Sequence, residues 1–125
     1  MTNKKIILAI DDNVHQLNEF KSLLVSKYDL RVVKSASEAV NYLNRNAADV
    51  ILLDIEMPNI SGFEFLKDIK KIPGYVNVPV IIVSGNSGNG FLRQVDESEA
   101  AGVLIKPVDP DRLIAAIENA ASWKK

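Results

Sequence analysis

Two adjacent carboxylates, Asp11 and Asp12, close the apolar run Ile6–Ile10, and a third, Asp54, closes the apolar stretch 50–53. A serine, Ser84, ends the run 80–83, and Lys106 follows the run 103–105 and precedes Pro107. Carboxylates gathered at strand ends, with one cation opposite, form a site for a divalent metal and a phosphoryl group. Like charges that close disfavour ionisation, so a cation-free cluster raises at least one carboxyl pKa. Magnesium resolves the repulsion, since it takes hard oxygen ligands and combines a few carboxylates with water and a phosphate oxygen. A carboxylate is also a covalent nucleophile toward phosphoryl groups. Asp54, at the end of the middle strand, is the natural acceptor. Lys106 supplies the positive charge opposite the metal, and Ser84 a hydroxyl for a phosphoryl oxygen. Glu56 and Asn86 lie two residues beyond Asp54 and Ser84, within reach of the site.

These residues meet only if the chain brings distant strand ends together. Short β-branched runs alternate with amphipathic stretches, the pattern of an α/β fold built on a parallel sheet. Strands are expected at about 5–10, 30–34, 49–54, 79–84 and 102–106, and helices at about 14–27, 37–46, 62–71, 90–99 and 110–122. The strands are apolar almost throughout, as in a sheet covered on both faces. Leu17, Phe20 and Leu24, then Leu66 and Ile69, then Leu113 and Ile117, form stripes at helical spacing. In such a sheet all carboxyl ends share one edge, and ligands bind outside it. Asp11, Asp12, Asp54, Ser84 and Lys106 all fall there.

With 125 residues, 47% of them hydrophobic, the chain suits one domain with a substantial core. A net charge of −1, with both signs interspersed, points away from a nucleic-acid face, and Lys67, Lys70 and Lys71 are expected on a solvated helix surface. Cysteine is absent, which removes disulfides and thiolate metal sites. No signal-peptide core or membrane-length apolar run is present, so a cytoplasmic protein is expected. His15, the sole histidine, is expected to be a partly exposed residue of the first helix, with Asn13 as its N-cap. Gly62 is expected to permit the turn that starts the third helix. Trp123 is expected to pack on its own helix or mark an interface.

Taken in order, 10–13 (Ile-Asp-Asp-Asn), 53–58 (Leu-Asp-Ile-Glu-Met-Pro), Ser61-Gly62, 83–85 (Val-Ser-Gly) and Lys106-Pro107 resemble the response-regulator receiver domain of two-component signalling. The resemblance runs from about residue 6 to 121. It implies a doubly wound, flavodoxin-like (βα)5 domain with a five-stranded parallel sheet in the order 2-1-3-4-5. It also implies that Asp54 is phosphorylated by a histidine kinase or histidine phosphotransfer protein. By the family pattern Asp12, Asp54 and the Glu56 backbone carbonyl bind Mg2+ directly, Asp11 acts through water, and Ser84 and Lys106 contact the phosphoryl oxygens. A cis peptide before Pro107 belongs to the same pattern. A single receiver domain spanning 1–125 without an output domain is expected, acting as a monomer or a phosphorylation-dependent dimer on an unidentified effector.

The chain departs from the pattern in three places. Val103 stands where receivers commonly carry an aromatic switch residue. The Ala101-Gly102 pair lies closer to Lys106 than usual. Residues 84–90, Ser-Gly-Asn-Ser-Gly-Asn-Gly, favour loop over helix, so the fourth helix is expected to start late, near Phe91, and to be short or mobile. Two other readings compete with a working receiver. One is a degenerate receiver that binds partners without phosphorylation. The other is a haloacid-dehalogenase-like phosphatase with Glu56 as general acid, against which the Asp11-Asp12 pair on an earlier strand argues.

Overall fold

A computed structural model describes residues 4–58 and 60–122. Five strands and five helices alternate: β1 (Ile6–Ile10), α1 (Val14–Leu24), β2 (Asp29–Val33), α2 (Ala36–Arg45), β3 (Val50–Asp54), α3 (Gly62–Lys71), β4 (Val80–Ser84), α4 (Asn89–Glu97), β5 (Gly102–Ile105) and α5 (Pro110–Ala121). All neighbouring strands pair in parallel, in the order β2-β1-β3-β4-β5. The expected flavodoxin-like fold and strand order are therefore present. No described helix is long and apolar enough to cross a membrane.

Side-chain alternation along the strands divides the core into two layers. Leu8, Ile10, Ile51, Leu53, Val80 and Ile82 face α2, α3 and α4, where they meet Leu43, Phe65, Leu66, Ile69, Phe91 and Val95. Ile7, Ala9, Val50, Leu52, Ile81 and Val83 face α1 and α5, packing on Leu17, Phe20, Leu24, Leu113 and Ile117. Every residue of β3 and β4 is buried, whereas the edge strands β2 and β5 are mostly half-buried. The same alternation sorts the polar strand ends. Asp11 continues the parity of Ile7 and Ala9, Asp54 that of Leu52, and Lys106 that of Leu104, so all three belong to the α1/α5 side. Ser84 continues the parity of Ile82 and faces the other way.

Four helices begin on a side-chain cap that satisfies an otherwise unpaired backbone donor. Asn13, Ser35, Ser61 and Asp109 accept from the N–H groups of Gln16, Glu38, Glu64 and Arg112. Gly88, at the start of α4, offers no such cap.

Several expectations are corrected. The first helix ends at Leu24 rather than near residue 27, because Lys27 and Tyr28 both return their N–H groups to the Leu24 carbonyl. That turn buries Tyr28, whose hydroxyl donates to Glu118 of α5. The fourth helix starts at Asn89, two residues before Phe91, and ends at Glu97. Leu92 closes its first turn onto the Gly88 carbonyl, and buried Phe91 and Val95 anchor it. Gly90 thus falls in the first turn, where its helical cost is outweighed by packing one residue later. Gly62 is required by close approach: a Cβ there would lie 2.8 Å from the Ile55 Cα and closer still to its side chain. Lys70 is not a solvated surface lysine, since its ammonium donates to the Val78 carbonyl and burial lowers its pKa. Trp123 lies outside the described residues.

Candidate functional site at the carboxyl edge of the sheet

β1, β3, β4 and β5 deliver their terminal polar residues to one edge. Asp11, Asp54 and Ser84 are almost completely buried, at 1%, 4% and 0% exposure, whereas Asp12 is exposed. One carboxylate oxygen from each of Asp11, Asp12 and Asp54 lies within 4.8 Å of the others. The Lys106 ammonium stands 3.5 Å from Asp54 Oδ1 and 3.8 Å from Asp11 Oδ2. The Lys106-Pro107 peptide is cis. The Lys106 N–H donates to the Ser84 carbonyl at 2.7 Å, continuing the β4–β5 ladder to the residue that carries the charge.

Local hydrogen bonds hold the acids in place. Asp11 Oδ1 accepts from the Asn13 N–H at 2.8 Å, and Asp54 Oδ1 from the Glu56 N–H at 3.1 Å. Both are carboxylate-to-backbone contacts two residues on, which short acidic side chains favour at turns. Asp11 Oδ2 is buried with no hydrogen-bond partner. Burial is the main force raising the Asp11 carboxyl from 3.8 to about 6, with Asp54 adding to it and the Asn13 N–H and Lys106 opposing. A buried carboxylate oxygen without a donor is costly unless a cation reaches it. Three carboxylates with no nitrogen or sulfur donor among them suit a hard divalent ion such as magnesium.

The far wall is the exposed segment 85–90 after β4. Ser84 Oγ accepts from the Asn86 N–H at 2.9 Å, which leaves its own proton free to be donated, and Asn86 Oδ1 accepts from the Gly88 N–H at 2.9 Å. The Glu56 carboxylate crosses from the loop after β3 and accepts from the Gly85 N–H at 2.9 Å. Residue order places Glu56 and Asn86 near the site but does not disclose these contacts. The Asn86 turn follows from side-chain chemistry; the Glu56 contact joins residues 29 apart and leaves no local signal. His15 is exposed on α1 and is not part of the acidic cluster.

Residues 7–118 match the response regulator receiver domain. The transcriptional regulatory protein DegU of Brevibacillus brevis is 34% identical over 95% of this chain and 51% of its own length. The polar-differentiation response regulator DivK of Brucella ovis is 27% identical, covering 92% of this chain and 94% of DivK. Against the first curated relatives it matches, the chain spans about half of their length or less. Among solved structures, the Francisella response regulator 1452 receiver domain superimposes with a TM-score of 0.84 at 28% identity, covering 95% of this chain and 97% of that one.

Proposed function

Because the chain belongs to the response regulator receiver domain family of two-component signalling, we propose that Asp54 accepts a phosphoryl group from a histidine kinase or histidine phosphotransfer protein, with Mg2+ bound, and that this resets a partner-binding surface. The observation that carries the reading is the geometry around Asp54. A buried carboxylate faces an ammonium at 3.5 Å, and a neighbouring buried carboxylate oxygen, Asp11 Oδ2, has no hydrogen-bond partner and only the same ammonium at 3.8 Å.

In this mechanism an Asp54 oxygen attacks the phosphorus of a phosphohistidine. The P–O bond forms as the P–N bond breaks, and the leaving imidazole takes up a proton. Phosphoryl transfer asks little of the protein beyond positioning and charge stabilisation. Lys106 offsets the charge on the transferred oxygens, and Ser84 donates its free hydroxyl proton to one of them. Asp12, Asp54 and the Glu56 backbone carbonyl would hold magnesium directly and Asp11 through water; the ion supplies charge neutralisation between nucleophile and donor. Ser84 then carries the 85–90 segment with it, and the surface equilibrium shifts because phosphoryl contacts differ between the two states. Val103 cannot act as an aromatic switch, so the 85–90 segment and α4 carry the readout. The domain works in the cytoplasm beside its phosphodonor, as a monomer or a phosphorylation-dependent dimer, on an effector protein.

Phosphotransfer from a labelled phosphohistidine protein tests this. Label should move to the wild-type chain in a magnesium-dependent manner and to none of the Asp54→Asn variant. Absence of transfer from any phosphodonor would favour a phosphorylation-independent binding module. Turnover of a small phosphate ester would favour a hydrolase.

A further inference from the structure

Among the described residues, the Glu56–Gly85 contact is the one hydrogen bond that ties residues 85–88 to anything beyond the flanking β4 and α4. It originates two residues after Asp54 and lands on the amide that directly follows Ser84. The remaining hydrogen bonds of this segment are local: Asn86 to Ser84, Gly88 to Asn86, and Leu92 of α4 to the Gly88 carbonyl. Residues 85–90 are all exposed, so little apolar burial fixes the segment before Phe91. A carboxylate accepting from a backbone N–H is a charge-assisted bond, about twice as strong as a neutral one.

Resting on the receiver reading, we propose that the Glu56 side chain is an internal latch: its carboxylate holds the Gly85 amide in the unphosphorylated state and must release it before Ser84 can close on a phosphoryl group at Asp54. The latch requires that Gly85 leave Glu56 as Ser84, one peptide away, travels toward Asp54. The Glu56 carboxylate is thus an anion already in place on the loop that a phosphoryl anion has to recruit. Breaking the latch favours the closed loop, so a phosphoryl analogue should bind the unlatched protein more tightly.

Reach and charge can be separated. Glu56→Asp keeps the charge but shortens the side chain by one carbon–carbon bond, about 1.5 Å, and no longer spans to Gly85. Glu56→Gln keeps the reach and an acceptor oxygen but loses the charge. Two measurements apply to both variants and the wild type: the water-exchange rate of the Gly85 amide by NMR in metal-free protein, and beryllofluoride affinity with magnesium. The expected result is faster Gly85 exchange in Glu56→Asp together with beryllofluoride binding tightened about 3- to 10-fold, and a smaller change of both in Glu56→Gln. Unchanged Gly85 exchange in Glu56→Asp would overturn the latch. So would tightening in Glu56→Gln with wild-type behaviour in Glu56→Asp, which would assign the effect to charge alone. Beryllofluoride binding to none of the three proteins, with Gly85 exchange still faster in Glu56→Asp, would locate the failure in the receiver reading, and the latch would fall with it.

Discussion

The two walls of the site are built differently although they end neighbouring strands of one sheet. On one side Asp11 and Asp54 grow out of strands with no exposed residue, and backbone N–H groups fix their carboxylates. On the other side Ser84 is equally buried, but the chain leaves the core at the next residue and stays exposed through Gly90. α4, which receives that segment, lacks the side-chain cap the other four helices have. The rigid wall fixes the geometry that phosphoryl transfer requires, since small misplacements of reacting groups are expensive. The lightly held wall is free to take a second position, as a readout element must, because switching segments are drawn from the least stable parts of a fold. Ser84 apart, chemistry and signal are thus divided between the two sides of one cleft.

Changes on the rigid wall should damage chemistry or stability, and changes in the exposed 85–90 segment beyond Ser84 should leave both nearly intact. The largest effect is expected from Lys106→Met, which keeps the stem and removes the ammonium 3.5 Å from Asp54. Phosphorylation by a small-molecule phosphodonor should slow about 100-fold, as for other lost transition-state donors, measured by single-turnover kinetics. Next, Gly62→Ala drives a Cβ into Ile55, the residue after Asp54. Urea denaturation should show a loss of about 1–3 kcal/mol, the usual cost of overpacking.

Asp11 gives a pH-dependent test. In the folded chain its carboxyl keeps its proton up to about pH 6, against 3.8 for a free carboxyl, chiefly because it is buried. The folded state therefore binds more protons than the unfolded state between these values. Stability of the metal-free protein should fall as pH rises through that window. Asp11→Asn should remove the slope and stabilise the metal-free protein at pH 7 by about 1–2 kcal/mol. Magnesium should stabilise the wild type more at pH 7 than at pH 5. A flat pH profile between pH 4 and 6 would show that Asp11 is not the strained acid of the rigid wall. The smallest effect is expected from Asn86→Ala, which removes one exposed turn contact to Gly88. Its denaturation midpoint should move by no more than about 0.5–1 kcal/mol equivalent, and the phosphoryl adduct should still form.

The same division explains what is legible in the sequence. Buried parallel strands are written as continuous apolar runs, so β1, β3 and β4, and the polar residues that end them, can be located from residue order alone. The bounds of α3 match the expected 62–71, where the Leu66 and Ile69 stripe marks the helix and the structure adds Ser61 as its cap. Expectation and structure part where long-range contacts override local composition. Glycine-rich residues 85–90 argue for a later α4, yet the helix begins at Asn89 because Phe91 and Val95 bury against the α3 side of the sheet. α1 is shorter than expected because the turn at Leu24 seats Tyr28 against α5, 90 residues away. Gly62 has the position of a turn residue, whereas its role is steric, set by Ile55 lying over it. The Asp11 oxygen without a hydrogen-bond donor and the Glu56–Gly85 bond depend on three-dimensional placement, which no spacing rule encodes.

The most direct test of Asp54 as the centre of this site is intact-mass spectrometry after incubation with acetyl phosphate, with and without magnesium, on the wild type and Asp54→Asn. The expected result is a single phosphoryl mass gained by the wild type, only with magnesium, and none by the variant. No adduct on the wild type, or an adduct of equal yield on Asp54→Asn, would contradict it.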